Sequence, residues 1–72
     1  MEPNQPTTLD RFLRLPEVKR IVGLSTSTIY EKMALGKFPK PVPLSGGAVA
    51  WLESEIVAWQ RARIAERDQK AA

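Results

Sequence analysis

The side chains best suited to specific hydrogen bonding are concentrated between residues 26 and 40. Three hydroxyl residues in a row are followed by a phenol, a carboxylate and three lysines: Thr26, Ser27, Thr28, Tyr30, Glu31, Lys32, Lys37 and Lys40. Short hydroxyl side chains can approach both the phosphates and the base edges of duplex DNA. A glutamate can accept a hydrogen bond from cytosine N4, while tyrosine and lysine can reach the DNA backbone. This stretch therefore suits contact with DNA.

The same residue types also have simpler interpretations, and the sequence alone leaves both open. The hydroxyls can be ordinary solvent-exposed groups, the adjacent carboxylate and lysine can form a solvated charged face, and the two later lysines can keep a loop soluble. Ser25 is expected to cap a helix rather than to contact a base, because its hydroxyl can accept a hydrogen bond from a free amide in the first turn.

Catalytic and metal-binding chemistry find little support. The chain has no Cys and no His, which excludes disulfides, zinc held by thiolate or imidazole, and catalysis by either side chain. Glu53 and Glu55 come nearest to a catalytic carboxylate pair, but residues two apart on a helix do not face each other. The glycines of Ser45-Gly46-Gly47 precede a predicted strand, so they do not match a phosphate-binding loop. We expect no enzymatic activity, cofactor, metal ion or small-molecule ligand.

The composition is that of one small domain whose charge permits an anionic partner. Seventy-two residues can form a single modest core, and eleven Lys and Arg against eight Asp and Glu give a net charge of +3. No apolar run approaches the roughly 20 residues that span a membrane. The N-terminal residues lack the basic and apolar regions of a signal peptide. We expect a cytoplasmic bacterial protein, associated with the nucleoid when bound to DNA.

Two short helices joined by a tight turn are predicted to position the polar stretch. Pro16 suits the first turn of a helix because its missing N–H would have no partner there, and Gly23 is a natural C-terminal stop. Ser25 is a good N-cap for the next helix. Apolar residues recur at spacings of three and four in both segments, which predicts helices over residues 16–22 and 26–35.

A β-hairpin and a third helix are predicted to follow. Alternate prolines between residues 39 and 43 permit an extended edge strand, and the turn at residues 45–47 leads into a second strand. The third helix begins near Leu52 and carries Leu52, Ile56 and Trp59 on one face. Trp51 and Trp59 are interpreted as core residues rather than as surfaces for base stacking. The predicted fold class is mainly α with a small two-stranded β-hairpin, which corresponds to a winged helix-turn-helix of the DNA-binding type.

The chain is predicted to divide into three parts. Residues 1–9 form a flexible leader, residues 10–63 a DNA-binding domain, and residues 64–72 a polar C-terminal tail that frays. The basic residues near the C-terminus allow three interpretations. They can belong to a solvated helix end, make an extra phosphate contact, or form part of a self-association surface that includes Ile64.

Four motifs in this order resemble the AlpA family of prophage regulators. They are Leu13-Arg14-Leu15-Pro16-Glu17-Val18, the run from Gly23 to Tyr30, Gly36-Lys37-Phe38-Pro39-Lys40-Pro41-Val42, and the run from Trp51 to Trp59. The resemblance extends from about Asp10 to Arg63. The family is related to phage excisionases and, more distantly, to the winged-helix domains of MerR-type regulators.

The resemblance implies a winged-helix, sequence-specific regulator of a prophage or an integrated element that binds double-stranded DNA. The family's recognition helix falls on residues 26–35 and its wing on about residues 42–51. Many relatives carry a basic residue near the wing tip, where this chain has Ser45-Gly46-Gly47-Ala48. We therefore expect Lys32, Lys37 and Lys40, rather than the wing, to make most of the contacts with the DNA backbone.

The residues leave several roles open. An activator, a repressor and an excision factor that bends DNA to direct an integrase all need the same fold. RNA polymerase or an integrase is a candidate partner, and the chain can self-associate on DNA. The alternative from another class is a protein-interaction or antitoxin-like module, which predicts little salt-sensitive affinity for duplex DNA.

Overall fold

Three helices and three short strands make up residues 9–71, the part of the chain that the computed structural model describes. In chain order they are β1 (Phe12–Leu13), α1 (Leu15–Val22), α2 (Thr26–Ala34), β2 (Val42–Pro43), β3 (Val49–Leu52) and α3 (Glu53–Ala71). The fold class predicted from the sequence, mainly α with a β-hairpin in a winged helix-turn-helix arrangement, is confirmed. The five boundaries that were predicted for the three helices all lie within one residue of the observed positions.

The hairpin is part of a three-stranded antiparallel sheet in the order β1-β3-β2. The sequence pattern predicted the hairpin, and the structure gives its register, in which Val42 pairs with Ala50. The strand β1 was not predicted. Leu13 in β1 lies opposite Trp51 in β3, so the chain segment before α1 closes the free edge of the hairpin. A two-residue strand shows no alternation in the sequence, and its pairing partner lies far along the chain.

One cluster of apolar side chains holds the helices against the sheet. Its buried members come from the three helices, from β1 and β3, and from the segment after α2: Leu13, Val18, Ile29, Phe38, Trp51 and Ile56. Trp51 is fully buried, and its Nε1 donates a hydrogen bond to the Pro39 carbonyl oxygen at 2.9 Å. The prediction that this tryptophan is structural is confirmed. A buried indole N–H needs a hydrogen-bond partner. This bond therefore fixes the segment that leads into β2 against the core.

The turn between α1 and α2 is built from local interactions. Gly23 adopts a left-handed conformation with φ of 72°, and its N–H donates to the Lys19 carbonyl oxygen at 2.8 Å. Ser25 caps α2, because its Oγ accepts a hydrogen bond from the Thr28 amide at 3.2 Å. Both roles agree with the predictions. The turn therefore fixes the direction of α2 relative to α1 with only three residues.

The start of α3 is held by the segment that precedes β1. Asp10 accepts hydrogen bonds from the Ser54 hydroxyl and from the Ser54 backbone amide, the latter at 3.1 Å. These two bonds lower the pKa of the Asp10 carboxyl below its ordinary value, and the bond from the hydroxyl has the larger effect. The Glu53 amide also donates to the Arg11 carbonyl oxygen at 2.9 Å.

Beyond the core, α3 continues as a helix through residues 64–71, where the sequence predicted a fraying tail. Every side chain from residue 60 to residue 70 is exposed. Fraying there stays a prediction. The predicted leader lies outside the described residues except for Leu9. Among residues 9–71, no helix is both long enough and apolar enough to cross a membrane.

Candidate nucleic-acid interface

The helix α2 has one face fixed in the core and the opposite face open to solvent. Ile29 is fully buried and Met33 packs against the core cluster. Ser27 and Glu31, which lie on the opposite side of the helix, are both exposed. The packing of Ile29 therefore determines which polar side chains can meet a partner.

The two flanks of α2 differ in character. Tyr30 lies on one flank and is 43% exposed. Lys32 lies on the other flank and is half-buried. The first places an aromatic hydroxyl at the edge of the open face, and the second places a cation there. Such edge positions suit contacts to a DNA backbone that runs along both sides of a groove.

The hydroxyls at the start of α2 are linked to one another. Ser25 Oγ donates to Thr28 Oγ1 at 2.9 Å, and lies 3.3 Å from Ser27 Oγ. Thr26 and Thr28 are half-buried, whereas Ser27 is exposed. Of the three predicted hydroxyl contacts, Ser27 is therefore the most accessible. Thr26 and Thr28 are partly covered by the rest of the protein.

The three lysines predicted as DNA contacts lie around one open cleft between α3 and the segment that connects α2 to β2. Lys32, Lys37 and Lys40 line the cleft together with Arg63. Two carboxylates, Glu55 and Glu66, lie in the same cleft. The grouping could not be read from the order of residues, because Arg63 comes from a distant helix.

Trp59 holds the two walls of this cleft together. Its Nε1 donates to the Lys37 carbonyl oxygen at 3.0 Å, and its ring makes an edge-to-face contact with Phe38 at 5.1 Å between centroids. The Arg63 guanidinium lies 5.6 Å from the Trp59 ring centroid, in cation–π geometry. The structural role predicted for Trp59 is thereby confirmed, since its ring is engaged by the protein itself.

The wing presents backbone rather than charge. Gly46 and Gly47 have φ angles of 65° and 81°, which favour glycine and allow the chain to reverse sharply. The Leu44 amide donates to the Ala48 carbonyl oxygen at 2.7 Å and closes the turn. No residue between 41 and 52 is charged. Any hydrogen bond from this turn must use its backbone amides and carbonyls or the exposed hydroxyl of Ser45.

Sequence reasoning missed two groupings near the candidate interface. The first places Arg63, one of the basic residues near the C-terminus, beside the cleft with the three lysines; its position four residues after Trp59 is the signal that could have found this grouping. The second is the engagement of Arg11, which lies 3.4 Å from Glu17 and 3.3 Å from Glu53. Arg11 therefore belongs to a small network of surface charges.

Within residues 9–71, no group of three or more acidic, His or Cys side chains is arranged to hold a metal ion. The buried side chains of the same residues are all apolar. The polar chemistry of the described residues therefore lies at the surface.

Comparisons with known proteins give a consistent match. The family model described as prophage CP4-57 regulatory protein (AlpA) matches residues 11–64. A relative from Enterobacteria phage P4, named uncharacterized protein ORF88, is 54% identical over 65 residues, which cover 90% of this chain and 74% of the relative. No solved structure gives a significant match.

Proposed function

The chain belongs to the AlpA family of prophage regulatory proteins, and on that basis we propose that it regulates transcription by binding specific double-stranded DNA sequences. The regulated genes belong to a prophage or an integrated element. In this proposal residues 10–63 form the DNA-binding domain, and α2 enters the major groove.

The observation that carries the proposal is the division of α2 into a fixed face and an open face. Ile29 is completely buried, while Ser27 and Glu31 are exposed on the other side of the same helix. A groove-reading helix needs this arrangement, since its base-contacting side chains must be accessible and its orientation must be rigid. The short turn at Gly23 and the cap at Ser25 supply the rigidity.

Roles for the polar residues follow from their positions. We assign base readout to Ser27 and Glu31. Contacts to the DNA backbone are assigned to the residues at the first turn, on the flanks and in the following loop: Thr26, Thr28, Tyr30, Lys32, Lys37 and Lys40. Glu31 repels phosphates, so it favours positions where it can accept a hydrogen bond from a base.

The proposal is tested by fluorescence anisotropy with a labelled duplex taken from the DNA that flanks the gene. A scrambled duplex of the same length and composition is the control, and both are titrated across a salt series. We expect selective binding to the flanking duplex, with log affinity falling linearly as log salt concentration rises. Weak and equal binding to every fragment of the flanking DNA would contradict the proposal and favour a protein-interaction module.

The layout of the protected sites then separates the regulatory roles. A single site beside a promoter corresponds to transcription control, with RNA polymerase as the candidate partner. Adjacent or repeated sites with bent DNA correspond to an excision factor that acts with an integrase. A single module buries only about 600–1,000 Å² of protein surface on DNA. We therefore expect several copies to bind side by side, and a single independent copy at each site would contradict this expectation.

A further inference from the structure

The inward face of α3 changes character along the helix. Its first half carries Ile56, which is buried, and Trp59, which packs against the core cluster. Continuing at spacings of four and three residues, the same face carries Arg63, Arg67 and Lys70. These three residues, here called the basic face of α3, extend the line of the core side chains past the edge of the core. They line one surface groove together with Glu66.

The basic face of α3 is continuous with the cations near α2. Arg63 belongs both to this face and to the cleft that Lys32, Lys37 and Lys40 line. The hydrogen bond from Trp59 to the Lys37 carbonyl oxygen fixes α3 against the lysine-bearing loop. Cations from α2, from the loop and from α3 therefore lie along one side of the protein.

The charge of the chain is concentrated on this side. It carries six cations and three carboxylates, Glu55, Glu66 and Asp68, which give a net charge of +3; the last of these lies 2.9 Å from the Arg67 guanidinium. The whole chain has a net charge of +3. The remaining residues therefore sum to zero. A surface that holds all of the excess positive charge is complementary to a polyanion.

We propose that the basic face of α3 binds the phosphate backbone of the same DNA duplex that α2 reads. This inference rests on the proposed function and extends it to residues beyond the helix-turn-helix and the wing. It also supplies the charged contacts with the DNA backbone that the wing, which has no charged residue between 41 and 52, cannot make. Arg67 and Lys70 become DNA-binding residues, with Arg63 joining them to the lysines around the cleft.

The dimensions of the basic face match a DNA strand. From residue 63 to residue 70 the helix rises about 10.5 Å, at about 1.5 Å per residue. Phosphates on one strand rise about 3.4 Å each along the duplex axis and are also rotated about it, so neighbouring phosphates lie farther apart in space than this rise. The face is therefore long enough to meet more than one phosphate.

The exposed part of α3 receives little stabilisation from packing against the rest of the protein. All side chains from residue 60 to residue 70 are exposed, and helices without tertiary packing are marginal in water. Local ion pairs at the surface, between Arg63 and Glu66 and between Arg67 and Asp68, contribute little by themselves. Contact with phosphates would order this segment while neutralising its like charges.

The test compares two arginines on opposite faces of the same exposed helix segment. Arg67 lies on the basic face, whereas Arg61 lines a separate groove with Val57 and Asp10. The variants Arg67→Gln and Arg61→Gln remove the same charge from exposed positions. Their affinities for the flanking duplex and for a random duplex are measured by anisotropy across a salt series. Circular dichroism confirms that both variants remain folded.

We expect Arg67→Gln to bind several-fold more weakly than the wild type at about 0.1 M salt, with the slope of log affinity against log salt reduced by about 1. Arg61→Gln should keep the wild-type slope. A third variant, Glu66→Gln, removes a carboxylate beside the basic face and should tighten binding to both duplexes, because it repels phosphates.

Two results would overturn the inference. If the wild type binds with normal salt dependence and the two arginine variants behave alike, the proposed function stands and the role of α3 is wrong. The basic face would then be assigned to an acidic protein partner. If the wild type shows no salt-dependent binding to any duplex, both the inference and the proposed function fail.

Discussion

Ser27 and Glu31 are the two polar residues of α2 whose side chains are directed most completely away from the protein. Neither is needed for packing, since Ile29 and Met33 provide the contacts of α2 with the core. Tyr30 and Lys32 lie on the two flanks of this face. Under the proposed function, the open face would determine sequence preference and the flanks would contribute general affinity for the DNA backbone.

Substitutions on α2 should therefore separate into two classes. Ser27→Ala or Glu31→Ala should change the preference among related sequences, because base-edge hydrogen bonds are worth about 1–3 kcal/mol of discrimination. Tyr30→Ala or Lys32→Ala should weaken binding to all sequences by a similar factor. Competition assays with a panel of point-substituted duplexes measure both effects. If all four variants changed affinity uniformly, the assignment of the open face would be wrong.

Asp10 is the residue whose ionisation should couple to folding. Its pKa is lowered in the folded protein by the hydrogen bonds from Ser54. The resulting stabilisation is present above the ordinary pKa of 3.8 and is lost as the pH falls through the lower folded-state value. Asp10→Ala should therefore lower the Tm at neutral pH, and the difference from the wild type should shrink in acid.

Thermal melts followed by circular dichroism from neutral to strongly acidic pH measure this convergence. The control is Asp68→Ala, which removes an exposed carboxylate that pairs only with the adjacent Arg67. Its difference from the wild type should not follow the same course. A constant gap between wild type and Asp10→Ala at every pH would exclude the proposed linkage.

At the scale of elements, the connection between α1 and α2 determines how α2 is oriented. Gly23 provides the left-handed residue that ends α1, and Ser25 begins α2 two residues later. Such a short connection leaves little freedom in the angle between the helices. The orientation of α2 therefore depends on backbone conformation at one glycine as well as on the apolar contacts of Ile29.

Replacing Gly23 with alanine should destabilise the domain through backbone conformation alone. A Cβ at this position meets no atom within 4 Å, so steric crowding does not contribute. The left-handed conformation costs an L-residue about 1–2 kcal/mol, which should appear as a lower free energy of unfolding in urea titrations. Asparagine tolerates this conformation better, so Gly23→Asn is the matched control. Equal losses for the two variants would point to a different cause.

At the scale of the whole molecule, the segment before α1 joins parts of the fold that are distant in the sequence. Leu13 pairs with β3 and is almost fully buried in the common cluster. Asp10 holds the first turn of α3 from the same segment. The sheet, α1 and α3 therefore depend on one another, and a small core of this kind should unfold as a unit.

Leu13→Ala should accordingly destabilise the entire domain. Truncation of a buried leucine removes about 2–5 kcal/mol, which is most of the stability that a domain of this size has. Phe12→Ala is the control, because the adjacent Phe12 side chain is 52% exposed. Denaturant unfolding should show a large loss for the first variant and a small one for the second. Similar losses would contradict the core position of Leu13.

The amino-acid sequence by itself determined the elements whose signals act over a few residues. The proline at the start of α1, the glycine at its end, the serine cap of α2 and the double glycine of the wing all work through local backbone conformation and hydrogen bonding. Helical spacing with Ile29 and Met33 facing inward directs Ser27, Thr28 and Glu31 outward; Ser27 and Glu31 are exposed, whereas Thr28 is half-buried and accepts a hydrogen bond from Ser25 Oγ. Family membership followed from the order of the four motifs, and the family match agrees with it.

Only the tertiary structure decided which distant residues share a surface. The pairing of β1 with β3 and the contact of Asp10 with Ser54, 44 residues later, have no local signal. The joining of Arg63 to the three lysines around one cleft depends on how α3 packs through Trp59. Such contacts are set by the summed burial of many apolar side chains, which acts over the whole chain and leaves no short pattern in the sequence.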